Sequence, residues 1–273
     1  MKKYVNLFVF VFMVGACFSQ GKAQTKSAVS YKNPVVDIAM PDPTVIKAAD
    51  GYFYMYATES TRNVPIMKSK DLVQWTYCNT AFTNKTRPRF ELKAGIWAPD
   101  INYINNKYVL YYAMSVWGGE QTCGIGVATA DSPQGPFTDH GKMFRSNEIG
   151  VQNSIDPSFL QYEGRNYLVW GSFRGIYVIE LTEDGLSLKP GAEKKRIAGT
   201  AFEAAYIHKH GDYYYMFASI GSCCEGIRST YKVVVGRSKK VWGPYKDKSG
   251  KPMLKNGYSL VIGANDHFVG NGH

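Results

Sequence analysis

Long runs of one kind of charge are missing from this sequence. The 273 residues include 32 Lys and Arg against 22 Asp and Glu, a net charge of +10. Such an excess of positive charge favours nucleic acid as a partner. The longest basic run, however, is only Lys194-Lys195-Arg196, and no nucleic-acid-binding motif is present. We therefore predict a solvated basic surface and no nucleic-acid partner.

Cysteine is also scarce, and its spacing excludes a cysteine-ligated metal site. Besides Cys17 near the amino terminus, the chain has Cys78, Cys123, Cys223 and Cys224, with no matched C-x-x-C pairs. A bridge between the adjacent Cys223 and Cys224 would be strained. We therefore expect no dense disulfide framework, although export would permit one.

A single apolar run resembles a targeting segment. Lys2 and Lys3 precede apolar residues 4–16, a run too short to span a membrane, and small residues follow it. The pattern predicts a signal peptide over residues 1–24 and a mature chain over 25–273. Cleavage before Cys17, with lipidation and a membrane tether, is the alternative. Either reading predicts export from a bacterial cell, to the periplasm, the medium or the outer membrane.

Aromatic residues and glycines, in contrast, are abundant. The chain has 20 Tyr, 14 Phe and 27 Gly, which favours strands joined by tight turns over a helical protein. Four segments share one pattern, a turn residue followed by an aromatic strand. They begin at residues 51, 106, 164 and 211.

Further short strands flank each aromatic segment. One strand precedes it, at residues 44–46, 101–103, 158–160 and 205–207, and one follows it, at 64–67, 124–128, 176–179 and 233–236. Turn residues at 71–75, 132–137 and 242–245 mark a fourth, outer strand. Four strands repeating every ~50 residues are typical of a β-propeller blade, and the regular period favours this all-β fold over a sandwich.

An acidic residue stands just before the first strand of every repeat. These residues are Asp42, Asp100, Asp156 and Glu203. Because the inner strands of all blades surround one axis, we expect the four carboxylates to converge at one end of the central channel. One Asp-Pro alone would indicate only the start of a strand. Clustered carboxylates suit either a hard cation such as calcium or the acid and base of glycoside hydrolysis.

Aromatic side chains near these acids are candidates for stacking on sugar rings. Trp97, three residues before Asp100, is the best placed, and Trp117 and Phe173 are further candidates. We assign most of the other Tyr and Phe residues to the core.

Several segments together resemble glycoside hydrolase family 43, the five-bladed propeller arabinanases and their relatives. The resemblance covers residues 33–273. It is carried by Pro41-Asp42-Pro43, Ile96-Trp97-Ala98-Pro99-Asp100, residues 153–158, Gly171-Ser172-Phe173, residues 202–206, Gly221-Ser222-Cys223-Cys224, residues 229–231, Val235-Gly236-Arg237-Ser238 and Gly243-Pro244-Tyr245. The segment with adjacent cysteines is most similar to the endo-1,5-α-L-arabinanase branch.

The resemblance implies an inverting acid/base mechanism. Asp42 would be the general base that activates water, and Glu203 the general acid that protonates the leaving oxygen. Asp156 would orient Glu203 and tune its acidity. An inverting enzyme separates its two carboxyl groups by about 6.5–9.5 Å to admit the water. Substrate contacts would come from Trp97, Asp100, Gly119, Asn153, Ser172 and Phe173.

The carboxyl-terminal Gly-Asn-Gly-His corresponds to the family's usual Gly-Pro-Gly-His. Its His273 matches a histidine that helps hold a metal ion, often calcium, near the channel centre; no organic cofactor is implied. A fifth blade should begin at this residue. We therefore expect a catalytic propeller over residues 25–273 with four complete blades and the start of a fifth, incomplete at its carboxyl end.

The implied function is exported cleavage of internal α-1,5 bonds in plant cell-wall arabinan or arabino-oligosaccharides, by a monomer. One alternative is an exo-acting α-L-arabinofuranosidase or β-xylosidase of the same family. Another is a non-catalytic carbohydrate-binding propeller, and a third is a cation-stabilised interaction propeller. Arg174 stands where arabinanases commonly have a Trp after Ser-Phe, a change at a sugar subsite.

Overall fold

The computed structural model describes residues 30–270 and residue 272, and strands make up nearly all of its regular structure. By its internal contacts the chain divides into Met1–Lys32 and Asn33–His273. The second unit holds four antiparallel sheets of four strands, each with its strands adjacent in chain order. The predicted all-β class is therefore confirmed.

The sheets, hereafter blades 1 to 4, account for sixteen strands. Blade 1 consists of β1 Thr44–Lys47, β2 Phe53–Tyr56, β3 Pro65–Ser69 and β4 Trp75–Thr80. Blade 2 consists of β5 Gly95–Ile104, β6 Lys107–Ser115, β7 Gly124–Ala130 and β8 Thr138–Arg145. Blade 3 consists of β9 Ser158–Tyr162, β10 Arg165–Trp170, β11 Ile176–Glu180 and β12 Lys195–Ala198. Blade 4 consists of β13 Glu203–His210, β14 Tyr213–Ile220, β15 Lys232–Ser238 and β16 Ser259–Ile262.

Helical structure among the described residues is limited to single turns. These are α1 Ser146–Ile149 and two 3₁₀ turns, Gly226–Arg228 and Met253–Lys255. Within this part of the chain, no helix has the length and apolar character needed to cross a membrane. The signal peptide over residues 1–24, the alternative cleavage before Cys17 and the metal ligand His273 all lie outside the described residues.

Tight turns join the first two strands of each blade, as the turn residues predicted. The β5–β6 turn places Asn105 and Asn106 at positive φ, and the β9–β10 turn does the same with Glu163 and Gly164. Two consecutive residues at positive φ are the requirement of a type I′ hairpin turn, which matches the twist of the flanking strands. Asn and Gly reach this conformation at the least cost.

The blades pack face to face around a common axis. Consecutive first strands are in contact: β1 with β5, β5 with β9, and β9 with β13. A hydrophobic cluster fills each of the three interfaces between neighbouring blades. This arrangement is that of a β-propeller, with four blades in the described residues.

Strand β6 shows how the aromatic segments build two interfaces at once. Successive side chains of a strand point to opposite faces. Leu110 and Tyr112 therefore pack into the cluster shared with blade 1, while Val109 and Tyr111 pack into the cluster shared with blade 3. All four are buried. A strand covered on both faces explains why the sequence here is apolar at almost every position.

Two details of the outer strands differ from the predictions. The turn residues 242–245 are not followed directly by the fourth strand of blade 4; the chain returns through a bridge between Arg237 and Lys246, and the strand is Ser259–Ile262. Tyr245 instead fills the core, where its hydroxyl donates to the Val241 carbonyl. The fourth strand of blade 3, Lys195–Ala198, had no predicted marker because it carries no Trp or Pro-Phe turn signal.

The adjacent cysteines Cys223 and Cys224 form a disulfide, a bridge that the expectation of no dense disulfide framework did not exclude. Cys78 and Cys123 are free thiols. The bridge lies in the loop between β14 and β15, which ends at Tyr231.

Candidate active site

A cavity of about 630 Å³ lies on the axis, where the inner strands begin. Three of the four predicted acids line it: Asp42 from blade 1, Asp100 from blade 2 and Asp156 from blade 3. Blade 4 contributes Ala204, the residue after Glu203. Residues separated by more than 150 positions in the sequence therefore meet at one end of the channel.

The backbone entering the inner strands is unusual at the acids themselves. Asp42 has φ of 52° and Asp156 of 59°, and Ala204 beside Glu203 has 53°. Non-glycine residues adopt this left-handed conformation only at an energetic cost, which folded proteins tolerate mainly at functional sites. In blades 2 and 4 the register with the second strand also shifts, beside Asp100 and Glu203. Such bulges redirect side chains from the sheet face.

Glu203 is buried, with 8% of its surface exposed, and two hydroxyl groups hold its carboxyl group. Ser172 Oγ donates to Oε2 at 2.7 Å, and the Tyr231 hydroxyl donates to Oε1. Burial raises the pKa of Tyr231 far above its usual value of 10, and the Glu203 charge raises it further. Tyr231 consequently stays protonated and keeps donating over the whole physiological range.

Asp156 lies close to this group and is itself buried, with 6% of its surface exposed. Its negative charge adds to the rise in the pKa of Tyr231, after burial and the larger contribution of Glu203. The two acids therefore share one low-dielectric environment at the channel end. A carboxylate in that position can influence the charge and orientation of its neighbour.

Asn153 and Ser172 extend the network away from Glu203. Asn153 Nδ2 donates to Ser172 Oγ at 2.9 Å and to its carbonyl oxygen at 3.2 Å. The Asn153 amide donates to the Glu120 carbonyl at 2.7 Å, and the Phe173 amide donates to the Phe202 carbonyl at 2.9 Å. The predicted substrate residues of blade 3 are thus tied to both neighbouring blades.

Asp42 is positioned by Thr58, at the end of the second strand of its blade. Thr58 Oγ1 donates to Asp42 Oδ2 and accepts a hydrogen bond from the Ala98 amide at 2.7 Å. The Thr58 amide donates to the Pro41 carbonyl at 2.9 Å. Asp42 is therefore tied to the strand entry of blade 2 through one hydroxyl group.

Asp100 has partners of a more structural kind. Its Oδ2 accepts hydrogen bonds from Asn102 Nδ2 and from the Phe159 amide, both at 2.7 Å. The second bond joins blade 2 to blade 3 beside the cavity. Asp100 can therefore fix the relative position of two inner strands as well as face the channel.

The predicted aromatic platform lies on the rim of blade 2. The rings of Trp97 and Trp117 are 5.6 Å apart between centroids, and Trp117 is 77% exposed. Gly119 lies on the same loop and its amide donates to the Val116 carbonyl at 2.9 Å. Trp97, Gly119 and Phe173 are not among the residues that line the axial cavity.

The sequence predicted Ser172 as a substrate contact, but it did not predict hydroxyl groups as partners of the acids. Thr58, Ser115, Ser172 and Ser219 each stand at or just beyond the end of the second strand of their blades. Two of these four donate to a predicted catalytic acid. The repeat itself contained this signal, because a hydroxyl residue follows the aromatic segment in all four blades. Tyr231 lies in the 229–231 segment of the family resemblance, and the sequence predicted no role for it.

The described residues form no recognisable metal centre. Among residues 30–270 and 272, no group of three or more His, Cys, Asp or Glu side chains is placed to hold a metal ion. The predicted ligand His273 lies outside these residues.

Four stacked blades with carboxylates at the channel end define a β-propeller with an acidic site of the kind that cleaves glycosidic bonds. The family model of glycosyl hydrolases family 43 matches residues 31–273. The chain therefore belongs to glycosyl hydrolase family 43 and is a glycoside hydrolase.

Individual relatives agree with this assignment. The chain is 37% identical over 247 residues to an extracellular endo-α-(1→5)-L-arabinanase of Bacillus subtilis, covering 85% of this chain and 75% of the relative. It is 35% identical over 260 residues to an extracellular exo-α-(1→5)-L-arabinofuranosidase of Cellvibrio japonicus, covering 85% and 73%. Among solved structures, an α-L-arabinanase of Cellvibrio cellulosa complexed with arabinohexaose superposes with a TM-score of 0.77 at 32% identity, covering 85% of this chain and 81% of that one.

Proposed function

We propose that this protein hydrolyses α-1,5-linked L-arabinan internally, with inversion at the anomeric carbon. The observation that carries the proposal is the buried Glu203 carboxyl group, held by two hydroxyl donors at the end of a channel that Asp42 and Asp156 line. Relatives that act on arabinan support the choice of substrate. Glycoside hydrolysis requires such a pair of carboxyl groups with different environments.

Each proton in this reaction has a proposed donor and acceptor. A water molecule attacks the anomeric carbon, and Asp42 takes its proton. The bond from the anomeric carbon to the glycosidic oxygen breaks, and Glu203 gives its proton to that oxygen. Asp156 keeps Glu203 oriented and tunes its acidity.

Substrate contacts complete the proposed site. Trp97 would stack on one sugar ring, and Asp100, Gly119, Asn153, Ser172 and Phe173 would contact the chain. Asn153 and Ser172 are the best supported of these, since they are hydrogen-bonded to each other and Ser172 reaches Glu203.

Cleavage of internal bonds is favoured over attack at chain ends by the endo-acting Bacillus relative. Exo action is the second candidate, because a relative of similar identity is an exo-acting arabinofuranosidase. The products from linear arabinan distinguish them: a mixture of oligosaccharides indicates endo action, and monosaccharide alone indicates exo action.

The decisive variant is Glu203→Gln, which keeps the side-chain shape and removes the acidic proton. We expect release of reducing sugar from linear arabinan to fall roughly 10²- to 10⁴-fold, the usual contribution of general acid–base catalysis. Glu193→Gln is the matched control, since Glu193 is exposed and remote from the acids, and should keep full activity. Equal activity of wild type and Glu203→Gln would leave a carbohydrate-binding propeller as the better interpretation.

Three broader features belong to the same proposal. Export is supported by the extracellular relatives. A five-bladed ring is supported by the face of blade 4 that is turned away from blade 3, where Tyr206, Phe217 and Val233 are at least partly exposed. Calcium binding and the monomeric state stay predictions; a higher melting temperature in calcium than in chelator would support the former.

A further inference from the structure

An ion pair joins the rims of blades 2 and 3 beside the candidate active site. Arg174 donates to both carboxylate oxygens of Glu120, at 2.9 and 2.7 Å, and Gln152 Nε2 donates to Glu120 Oε2 at 2.6 Å. The side chains of Arg174 and Glu120 are 41% and 33% exposed. Exposed pairs of this kind add little to global stability. Nη2 makes both contacts with Glu120, and Nη1 donates to the Phe173 carbonyl at 3.1 Å, so the guanidinium group joins Glu120 to the loop backbone.

Hydrogen bonds connect this pair to Glu203. The Glu120 carbonyl accepts from the Asn153 amide, and the Asn153 side chain donates to Ser172 Oγ. Ser172 Oγ then donates to Glu203 Oε2. The backbone also joins Arg174 to Ser172, which lies two residues earlier in the sequence. The contacts thus form a ring that encloses the loop carrying Ser172.

That loop, residues 171–175, has a conformation that needs external support. Gly171, Phe173 and Gly175 all have positive φ, at 126°, 51° and 104°. The loop is also narrow, since a Cβ on Gly171 would lie 2.2 Å from the Gly175 carbonyl oxygen. Glycine adopts a positive φ without steric cost, so the strain in this turn lies at Phe173. The bond from Arg174 to Glu120 holds it against blade 2.

We propose that Glu120 and Arg174 are positioning residues that hold Ser172, and through it the Glu203 carboxyl group, in the reactive geometry. Neither residue touches the reacting atoms in this scheme. The proposal rests on the proposed function, since it assigns a purpose to the orientation of Glu203. It predicts a loss in the chemical step that is larger than any loss of stability.

The test compares Arg174→Ala, Arg174→Lys and Glu120→Gln with a control, Lys189→Ala, which breaks an exposed pair with Glu180 elsewhere on blade 3. We expect kcat on linear arabinan to fall roughly 10- to 100-fold in Arg174→Ala, the range that a small misplacement can cost, with KM and melting temperature little changed. Arg174→Lys should recover only part of this loss, because its one nitrogen would have to replace both Nη2, which contacts Glu120, and Nη1, which donates to the Phe173 carbonyl. Lys189→Ala should match wild type.

The coupling between the Arg174→Ala and Ser172→Ala changes in a double variant is a sharper test of the proposal. In a Ser172→Ala background the Glu120–Arg174 pair no longer has a serine hydroxyl group to position, so Arg174→Ala should add little further loss of kcat. The doubly reversed variant Glu120→Arg with Arg174→Glu should recover activity relative to either single reversal. Additive losses in the Ser172→Ala background, or an unchanged kcat in Arg174→Ala, would overturn the proposal while leaving the hydrolase intact.

Hydrogen exchange tests whether the Glu120–Arg174 pair holds the loop of residues 171–175, without any measurement of catalysis. The Phe173 amide is hydrogen-bonded within the structure, so its exchange reports opening of residues 171–175. We expect faster exchange there in Arg174→Ala and not in Lys189→Ala. Inactivity of the wild type on every arabinan tested would refute the proposed function. Unchanged exchange of the Phe173 amide in Arg174→Ala would refute the positioning role of the Glu120–Arg174 pair, whether or not the proposed function holds.

Discussion

Two hydroxyl groups hold in place the one carboxyl group on which the proposed chemistry depends. Ser172 and Tyr231 both donate to Glu203, one to each oxygen. Tyr231 is buried, and burial together with the Glu203 charge keeps the pKa of its hydroxyl group far above the ordinary tyrosine value. In the proposed reaction Glu203 becomes charged as it gives up its proton, and a hydrogen bond to a charged group is among the stronger ones in proteins.

Removing the Tyr231 hydroxyl should therefore be costly. We expect Tyr231→Phe to lower kcat/KM on linear arabinan roughly 10- to 100-fold, which corresponds to the ~1.5–3 kcal/mol of a hydrogen bond to a charged group. Tyr77→Phe, on the exposed side of β4, removes a hydroxyl remote from the site and should have no effect. Equal kinetics in the two variants would show that Tyr231 serves packing alone.

The sequence predicted that the acids converge on the axis, and three of them line the axial cavity, but it did not predict their hydrogen-bond partners. Asp42, Asp100, Asp156 and Glu203 could be selected because each occupies the same position of a visible repeat. The partners of Glu203 come from the loop after β10 and from the loop after β14, 31 and 28 residues away. No local pattern indicates which hydroxyl will reach which carboxylate.

At the scale of elements, a buried ion pair fixes the connection between blades 1 and 2. Glu59 and Arg87 are nearly buried, with 8% and 7% of their side chains exposed. Glu59 also accepts hydrogen bonds from the Asn63 amide at 2.8 Å and the Ile96 amide at 2.9 Å, and Arg87 donates to the Ala94 carbonyl at 2.9 Å. The pair thus anchors the start of β5, which carries Trp97 and Asp100.

The pKa of Glu59 reflects two opposing influences. Burial raises it, but the hydrogen bonds from Arg87 and from the two backbone amides lower it by more, so that the net pKa is below the usual value of 4.5. A carboxyl group whose pKa is lowered by folding stabilises the folded state above its unfolded pKa. That contribution is lost as the pH falls through the lower, folded value.

Glu59→Gln should therefore destabilise the protein strongly near neutral pH, because it leaves the Arg87 charge buried without its counterion. We expect a loss of about 3–5 kcal/mol in the free energy of unfolding, and a fall in melting temperature of roughly 2–4 °C per kcal/mol for a chain of this size. The difference from wild type should shrink as the pH drops below about 4.5. Lys142→Ala, which breaks an exposed pair, should change the stability by less than about 1 kcal/mol.

Element prediction was most accurate where local signals are strong. Turn residues and aromatic alternation located the first three strands of every blade. The outer strands were harder, since β12 and β16 are four residues long and pair with register irregularities. Packing at the rim of a blade imposes few constraints on sequence, so these strands leave a weak pattern.

At the scale of the whole molecule, blade 4 presents an exposed apolar edge. Leu260, Val261 and Ile262 of β16 are 57%, 45% and 48% exposed, and β16 pairs with β15 on one side in the sheet of blade 4. An apolar edge strand is a template for pairing with another chain. Three consecutive exposed apolar residues make this the surface where self-association should begin.

A charge on that edge should suppress the association. We expect Val261→Lys to lower the fraction of aggregated protein severalfold, as measured by light scattering at increasing concentration, without loss of activity per folded molecule. Leu92→Lys is the matched control, because Leu92 is 84% exposed but lies in a loop. An equal reduction in both variants would trace the effect to net charge and not to the edge strand.

The amino-acid sequence alone sufficed for the repeat, the all-β class, the first three strands of each blade and the three acids that line the cavity, because these depend on alternation, turn chemistry and position within a period. Folding in three dimensions selected the contacts that give the acids their properties. Thr58 meets Asp42 across 16 residues, Tyr231 meets Glu203 across 28, and Arg174 meets Glu120 across 54. The first two pairings depend on how the strands of one blade align in their sheet, and the third depends on how blades 2 and 3 stack around the axis. Both kinds of contact join residues that are distant in sequence, so local patterns do not specify them.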